Sequence, residues 1–129
     1  MALEKTAIAK PADDPALDVR MLAGLANMQR NGRPGFMDRV ITLYLQTASE
    51  LIGELKAAAA TDEPAVLHRI SHALKPCSAT VGALTLAALC ETLEHMARSG
   101  SVPDLAARIA AIAEEYNRVE AALMGRLEL

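Results

Sequence analysis

Residues Leu67 to Ala83 read LHRISHALKPCSATVGA, and the rest of the chain can be organised around this stretch. Its apolar residues recur every three or four positions, which is the spacing of a buried helix stripe: Leu67, Ile70, Leu74, Cys77 and Val81. His72 lies off that stripe, with His68 and Arg69 about one turn before it and Lys75 one turn after it. The pattern predicts a helix that holds an imidazole on its wet side beside a positive charge, an arrangement suited to an anion.

Composition favours an all-α domain. The chain has 129 residues, of which 52% are hydrophobic and only 2% aromatic. Alanine and leucine dominate, and β-branched residues are not concentrated in alternating runs, so aliphatic helix packing is expected. This length suits one domain with one core. We expect residues 1–15 to be a flexible leader or linker and residues 16–129 to form the domain.

Turn and cap signals divide the domain into five predicted helices. They run from Ala16 or Asp18 to Asn31–Gly32, from Phe36 to Ala60, from an Asp62 N-cap with Pro64 in the first turn to Gly82, from Ala83 or Leu84 to Arg98, and from Pro103–Asp104 to about Leu127. The first helix should bury one side made of Leu17, Met21, Leu22, Leu25 and Met28. Short connections force antiparallel neighbours, so the expected architecture is an up-down-up-down four-helix bundle with an additional short N-terminal helix.

The run from His72 to Ala83, HALKPCSATVGA, resembles the signature of histidine-containing phosphotransfer (Hpt) domains. In that signature a His is followed by x-x-Lys, a Gly, small residues and then Gly-Ala. The matching residues are His72, Leu74, Lys75, Ser78, Ala79, Gly82 and Ala83. The continuation LTLAALCETLEHMARSG resembles the next helix of the family. The likeness spans Leu17 to Leu127 in outline and is sharp from Leu67 to Gly100, although Pro76 stands where the family usually has Gly.

The resemblance implies a phosphorelay carrier. His72 is then the phosphoacceptor, which takes a phosphoryl group from a receiver-domain aspartate and passes it to a response-regulator aspartate. The partners implied are receiver domains of response regulators or of a hybrid histidine kinase, and the chain could be a stand-alone protein or one module of such a kinase. The sequence has no glycine-rich phosphate loop or nucleotide site, so we expect a phosphocarrier that is not itself an enzyme. No cofactor is expected, and any magnesium would come from the partner receiver domain.

The residues around His72 suit this chemistry. A neutral imidazole attacks through one ring nitrogen while the other keeps its proton. Lys75 at i+3 is within reach of phosphoryl oxygens and can offset their charge. The predicted partner-binding residues are Arg69, His68, Pro76 and Ala79. The predicted structural residues are Ser78, as a small hydroxyl that packs between helices and bonds back to a carbonyl, and Gly82, as the reversal between two helices.

Pro76 leaves two interpretations open. Proline inside a helix removes the N–H that would bond the carbonyl of His72 and usually costs ~3 kcal/mol or more with a kink. Like glycine it has no long side chain, so the docking surface can stay open and function survive. Alternatively, a kink re-aims His72 and narrows the choice of receivers. The alternative function is therefore a non-catalytic module that binds receivers without accepting phosphate.

Other classes of protein fit less well. The net charge of −3 is spread without a basic stripe, which argues against nucleic acid as a partner. No signal peptide or membrane span is evident, and Cys77 and Cys90 suit reduced core thiols, so a cytoplasmic protein is expected. The HRISH pair lacks the Glu of HExxH, and inward carboxylates of a di-iron bundle are not apparent, so no metal site is predicted. His95 should be an ordinary solvated residue, and one bundle accounts for the apolar stripes of a monomer.

Overall fold

The computed structural model of the chain describes residues 16–30 and 35–127. These residues form five helices and no strand: α1 Val19–Arg30, α2 Phe36–Ala58, α3 Pro64–Thr80, α4 Leu84–Arg98 and α5 Leu105–Met124. Helix α3 packs against α2 and α4, α5 packs against both α4 and α2, and α1 lies against α2. The predicted all-α antiparallel four-helix bundle with a short N-terminal helix is confirmed.

Aliphatic side chains from the four long helices fill the core. The largest fully buried ones are Ile41, Leu55, Leu67, Ile70, Leu74, Leu86, Leu93, Ile112 and Leu123. Burying one such side chain contributes about 1.5–3 kcal/mol relative to leaving it in water. Because Leu67, Ile70 and Leu74 turn one face of α3 toward the core, the opposite face of α3, which carries His72, is left on the surface.

Several helix ends differ from the prediction by one to three residues. Asp62 is not the N-cap of α3: it has a left-handed φ of 50°, and its N–H donates to the Ala58 carbonyl at 3.0 Å, so it closes α2 instead. Glu63 occupies the cap position without a side-chain hydrogen bond, and Pro64 is in the first turn as expected. The predicted ends of α2 at Ala60 and of α5 near Leu127 were also too late.

The N-terminal helix begins later and presents a different face from the one predicted. Helix α1 starts at Val19, after Leu17, which is buried in the segment just before it. Leu22 is buried as expected, whereas Met21 is 40% exposed, so its predicted inward placement was wrong. The predicted leader 1–15, the turn at 31–34 and the side chains of Leu25 and Met28 lie outside the described residues.

Helix α3 continues through Pro76 to Thr80. Pro76 itself is exposed, and the Thr80 hydroxyl donates to its carbonyl at 3.0 Å, which keeps the last turn paired. The proline therefore does not end the helix, and His72 stays on the same helical element as Ser78, which is buried after Pro76.

Gly82 joins the α3–α4 turn to the N-terminal segment. It has φ +83°, and its N–H donates to the Ala79 carbonyl at 3.0 Å, while the Ala83 N–H donates to Ser78 at 2.8 Å. Its carbonyl accepts a 2.7 Å hydrogen bond from the Asp18 N–H. A Cβ at position 82 would lie 3.0 Å from the Asp18 carbonyl oxygen, so both the conformation and the space require glycine.

We expect Gly82→Ala to destabilise the fold by about 1–3 kcal/mol through the left-handed conformation alone, with a further cost for displacing Asp18. Gly53→Ala is the matched control, because Gly53 lies in α2 and no atom stands within 4 Å of an added Cβ. That control should gain about 0.5–1 kcal/mol from helix propensity. Urea unfolding of the two variants tests the account, and an unchanged or raised stability of Gly82→Ala contradicts it.

Within residues 16–30 and 35–127, none of the helices combines the length and apolar character that crossing a membrane requires. Cys90 is buried and Cys77 partly buried, and neither forms a disulfide. Burial raises the pKa of the Cys90 thiol to about 12 and raises that of Cys77 as well. Both thiols are therefore protonated and unreactive near neutral pH.

Candidate functional site

His72 stands on the surface of α3 with its side chain 65% exposed. Its Nδ1 atom lies 2.7 Å from Oε2 of Glu94, a residue of the neighbouring helix α4. The apolar face of α3 packs in the core and holds this helix beside α4. The hydrogen bond to Glu94 therefore anchors the imidazole at Nδ1, and the other side of the ring is open to solvent. This contact ties the exposed histidine to a fixed point of the bundle.

Glu94 is the buried centre of the site. Its side chain is only 3% exposed, because it shares the inward face of α4 with Ala87, Cys90 and Ala97. Lys75 Nζ lies 2.9 Å from its Oε1 atom, and Arg98 Nη2 lies 3.3 Å from Oε2. The carboxylate therefore receives a cation on each oxygen in addition to the imidazole, which is how a buried charge is accommodated.

Glu94 is ionised in this environment. The hydrogen bond from Lys75, and next that from His72, lower its pKa from 4.5 to about 2, against the opposing effect of burial. An ionised carboxylate can only accept hydrogen bonds, so Nδ1 of His72 must be the donor. The neutral imidazole is then fixed in the tautomer with its proton on Nδ1, and the lone pair is on Nε2.

Lys75 is paired rather than free. The sequence predicts a fixed positive charge beside His72 and indicates no counter-charge for it. In the structure Glu94 supplies that counter-charge at 2.9 Å, and the lysine side chain is 34% exposed. Lys75 thus has access to solvent and to the surface near His72, but its ammonium group is held on a carboxylate.

His68 belongs to the same cluster, whereas Arg69 does not. The ring of His68 stacks on that of His72 with centroids 5.6 Å apart and planes at 8°, and its Nε2 lies 3.7 Å from Glu94 Oε2. Arg69 instead pairs with Glu54 of α2 at 3.1 Å, in a bridge where both side chains are exposed. The structure therefore brings together His68, His72 and Lys75 around Glu94 and places Arg69 on the other flank of α3.

Comparisons with known proteins identify the family of this helical bundle. The family model of the Hpt domain matches residues 39–122. The chain belongs to the Hpt domain family. A solved structure, histidine-containing phosphotransfer protein B (HptB) from Pseudomonas aeruginosa PAO1, is similar to this Hpt domain with a TM-score of 0.77 and 25% sequence identity, over 88% of this chain and 96% of that one. A search of curated proteins gave no significant match.

Membership in the family assigns the Hpt domain a histidine phosphotransfer role in two-component signalling. Hpt domains are phosphocarriers rather than kinases, and they interact with receiver domains in phosphorelays. The predicted family is thereby confirmed. The predicted roles of His72, Lys75 and the other named residues stay predictions, which the geometry above makes specific.

The remaining residues singled out in the sequence of the Hpt domain differ in their surroundings. Pro76 is exposed and Ala79 half-buried on α3 after His72. Ser78 is fully buried, but its partner is not a carbonyl: its hydroxyl is 2.8 Å from that of Tyr44 on α2. His95 is exposed and lies 3.7 Å from Glu91, away from the Glu94 cluster.

Sequence reasoning missed Glu94 and Arg98. The signal for Glu94 was present, because it follows Cys90 by four residues and precedes Ala97 by three, on the buried stripe of α4. Glu94 and Glu115 are both buried carboxylates, and Glu115 pairs with Arg118 at 3.1 Å. Among the described residues, no three His, Cys, Asp or Glu side chains are grouped so that they could hold a metal ion.

Stability of the Hpt domain should depend on the ionisation of Glu94. Its pKa of about 2 in the folded protein lies below its ordinary value of 4.5, so its contribution is complete above pH 4.5 and is lost as pH falls toward 2. We expect wild type to be more stable than Glu94→Gln near neutral pH, and the difference to shrink at about pH 2.5. Urea unfolding at both pH values measures this, and a pH-independent difference contradicts it.

Proposed function

We propose that this chain is a phosphorelay intermediate in which Nε2 of His72 is the phosphoacceptor. The phosphoryl donor is an aspartyl phosphate of a receiver domain. His72 then passes the phosphoryl group to the aspartate of a second receiver domain or returns it to the aspartate of the first. The observation that carries the proposal is the 2.7 Å hydrogen bond from His72 Nδ1 to Glu94, because it leaves the lone pair on the exposed nitrogen. A solvated histidine without such an anchor has no fixed tautomer.

The proposed step needs no group beyond those two proteins. The Nε2 lone pair attacks phosphorus, a new N–P bond forms, and the P–O bond to the donor aspartate breaks with its electron pair leaving on the carboxylate. The ring keeps its Nδ1 proton and gains positive charge, which the ionised Glu94 stabilises at 2.7 Å. Because the leaving group is a carboxylate, no proton has to be delivered to it.

Exposure of His72 supports a partner of protein size. The acceptor nitrogen must be approached in line by a phosphoryl group that is itself bound to a receiver domain. The flank of α3 toward α2 offers such a partner an apolar area, in which Leu43 is 57% exposed. We propose that the receiver contacts Leu43 on α2. On α3 it contacts Arg69, Pro76 and Ala79, which lie before and after His72. Supply of magnesium by the receiver and a monomeric state are parts of the same proposal.

The test is transfer of phosphate from a ³²P-labelled receiver domain to the chain, followed by electrophoresis. Wild type and the control His95→Gln should both acquire label that is stable to base and labile to acid, while His72→Gln should acquire none. His95 is a suitable control because it is equally a helical, exposed histidine but lies outside the cluster. Label on His72→Gln contradicts the proposal, and receiver binding without label on wild type means that the chain is a docking module.

A further inference from the structure

The two oxygens of Glu94 are not equivalent. Oε1 faces the ammonium group of Lys75 at 2.9 Å, whereas Oε2 is shared by His72 at 2.7 Å and Arg98 at 3.3 Å, with His68 at the longer distance of 3.7 Å. Among the residues that the structure describes, Lys75 is thus the cation on Oε1, whereas His68 lies near Oε2 without reaching hydrogen-bond distance.

Phosphorylation of His72 creates competition for Lys75. A phosphoryl group on Nε2 carries negative charge, and Lys75, one turn along α3, is the cation placed to bind it. The lysine, however, is paired with Glu94, whose side chain is only 3% exposed. If Lys75 moves to the phosphoryl group, this buried carboxylate loses a charged partner. Removing one member of a buried ion pair is costly because the other charge remains out of water. Arg98 and His72 remain on Oε2, but the buried carboxylate then lacks the charge that Lys75 supplied.

We propose that His68 is a positioning residue that binds a proton when His72 is phosphorylated and replaces the charge of Lys75 at Glu94. Lys75 is then released to bind the phosphoryl oxygens. The inference rests on the phosphoacceptor role of His72 proposed above. The proton comes from solvent, and the phosphoryl group, the N–P bond and the carboxylate leaving group are unchanged from that reaction.

The position of His68 fits this role. It precedes His72 by one turn on the same face of α3, its Nε2 already points at Glu94 from 3.7 Å, and it is 35% exposed, which gives solvent protons access. The charged groups that surround it are His72 and Lys75 from α3 and Glu94 and Arg98 from α4. On the α2 side, Glu54 is paired with Arg69. Glu94 is accordingly the carboxylate toward which a protonated His68 is drawn.

The consequence is a phosphorylation equilibrium that depends on pH. If one proton is taken up with the phosphoryl group, the partition of phosphate from receiver to this chain should rise by up to about tenfold for each pH unit of acidification. His68→Asn has no ionisable group and should lose this dependence together with about tenfold in the partition constant at about pH 7. His68→Arg carries a permanent cation and should keep a high partition constant without the pH dependence.

The experiment measures the partition of ³²P between one receiver domain and wild type, His68→Asn or His68→Arg from about pH 6 to about pH 8.5. Dividing each curve by that of His68→Asn removes the contributions of the receiver and of the phosphoryl group itself. The inference is supported if this ratio rises toward low pH for wild type and if the ratio for His68→Arg is high and does not change with pH. Equal curves for wild type and His68→Asn overturn it, and so does a uniform loss in His68→Asn without a change in slope. Failure of the proposed function looks different, because wild type is then unlabelled at every pH.

Discussion

Replacing Glu94 with glutamine is expected to lower the rate of phosphoryl acceptance by about 100-fold or more, while leaving His72 in place. The carboxylate fixes the proton on Nδ1 of His72 and balances the positive charge that the ring gains during attack. A neutral amide can present an N–H to Nδ1, which moves the ring proton to Nε2 and removes the nucleophilic lone pair from the exposed side. The measurement is a rapid-quench time course with a phosphorylated receiver domain.

Glu91→Gln is the matched control for that experiment. Glu91 lies on the same helix, is exposed and faces His95 at 3.7 Å, so the substitution has the same chemistry without contact to His72. Its rate should equal that of wild type. Thermal unfolding of both variants shows whether they are folded at the assay temperature. A folded Glu94→Gln protein that accepts phosphate as fast as Glu91→Gln means that Glu94 does not set the reactivity of His72.

The largest effect on stability is expected for Leu74→Ala. Leu74 is fully buried on the same helix as His72, at the contact of α3 with the rest of the core. Truncating a buried leucine to alanine removes apolar contact and leaves a cavity, which costs about 2–5 kcal/mol. The change should appear as a lower urea midpoint with an unaltered slope, because the surface exposed on unfolding is almost the same.

Leu84→Ala is the matched control, because it makes the same leucine-to-alanine change at an exposed position. Leu84 begins α4 and is 44% exposed, so its truncation should change the free energy of unfolding by no more than about 0.5 kcal/mol. Similar losses for the two variants contradict the assignment of Leu74 to the core. A folded Leu74→Ala protein should still accept phosphate on His72, since the polar cluster around Glu94 is not altered.

The fold was predictable because its determinants are local and repeated. Buried apolar residues at three- and four-residue spacing recur in each long helix, and Pro64, Gly82 and Gly100 mark boundaries that the backbone respects. Errors occurred where a short polar residue had two possible local roles. Asp62 resembles an N-cap in sequence, but its left-handed conformation at the end of α2 was decided by the path between two helices.

The exposed position of His72 was also predictable, since it follows from the stripe on α3 alone. Its chemical environment was not, because the residues that define it come from another helix. Glu94 is 22 positions away in sequence, and Tyr44 is 34 positions from Ser78. Such pairs depend on the rotation and height of one helix against its neighbour, which periodicity does not determine. A charged residue on an otherwise apolar stripe, as Glu94 is on α4, is the sequence feature that indicates a buried polar site.

The central claim is that phosphate is carried on Nε2 of His72, with the proton retained on Nδ1. The most direct measurement is a long-range ¹H–¹⁵N spectrum of the histidine rings before and after phosphorylation by a receiver domain. The account predicts that the His72 ring carries a proton on Nδ1 beforehand and an N–P bond at Nε2 of that ring afterwards. Phosphate on Nδ1 of His72, or on His68 or His95, would contradict it.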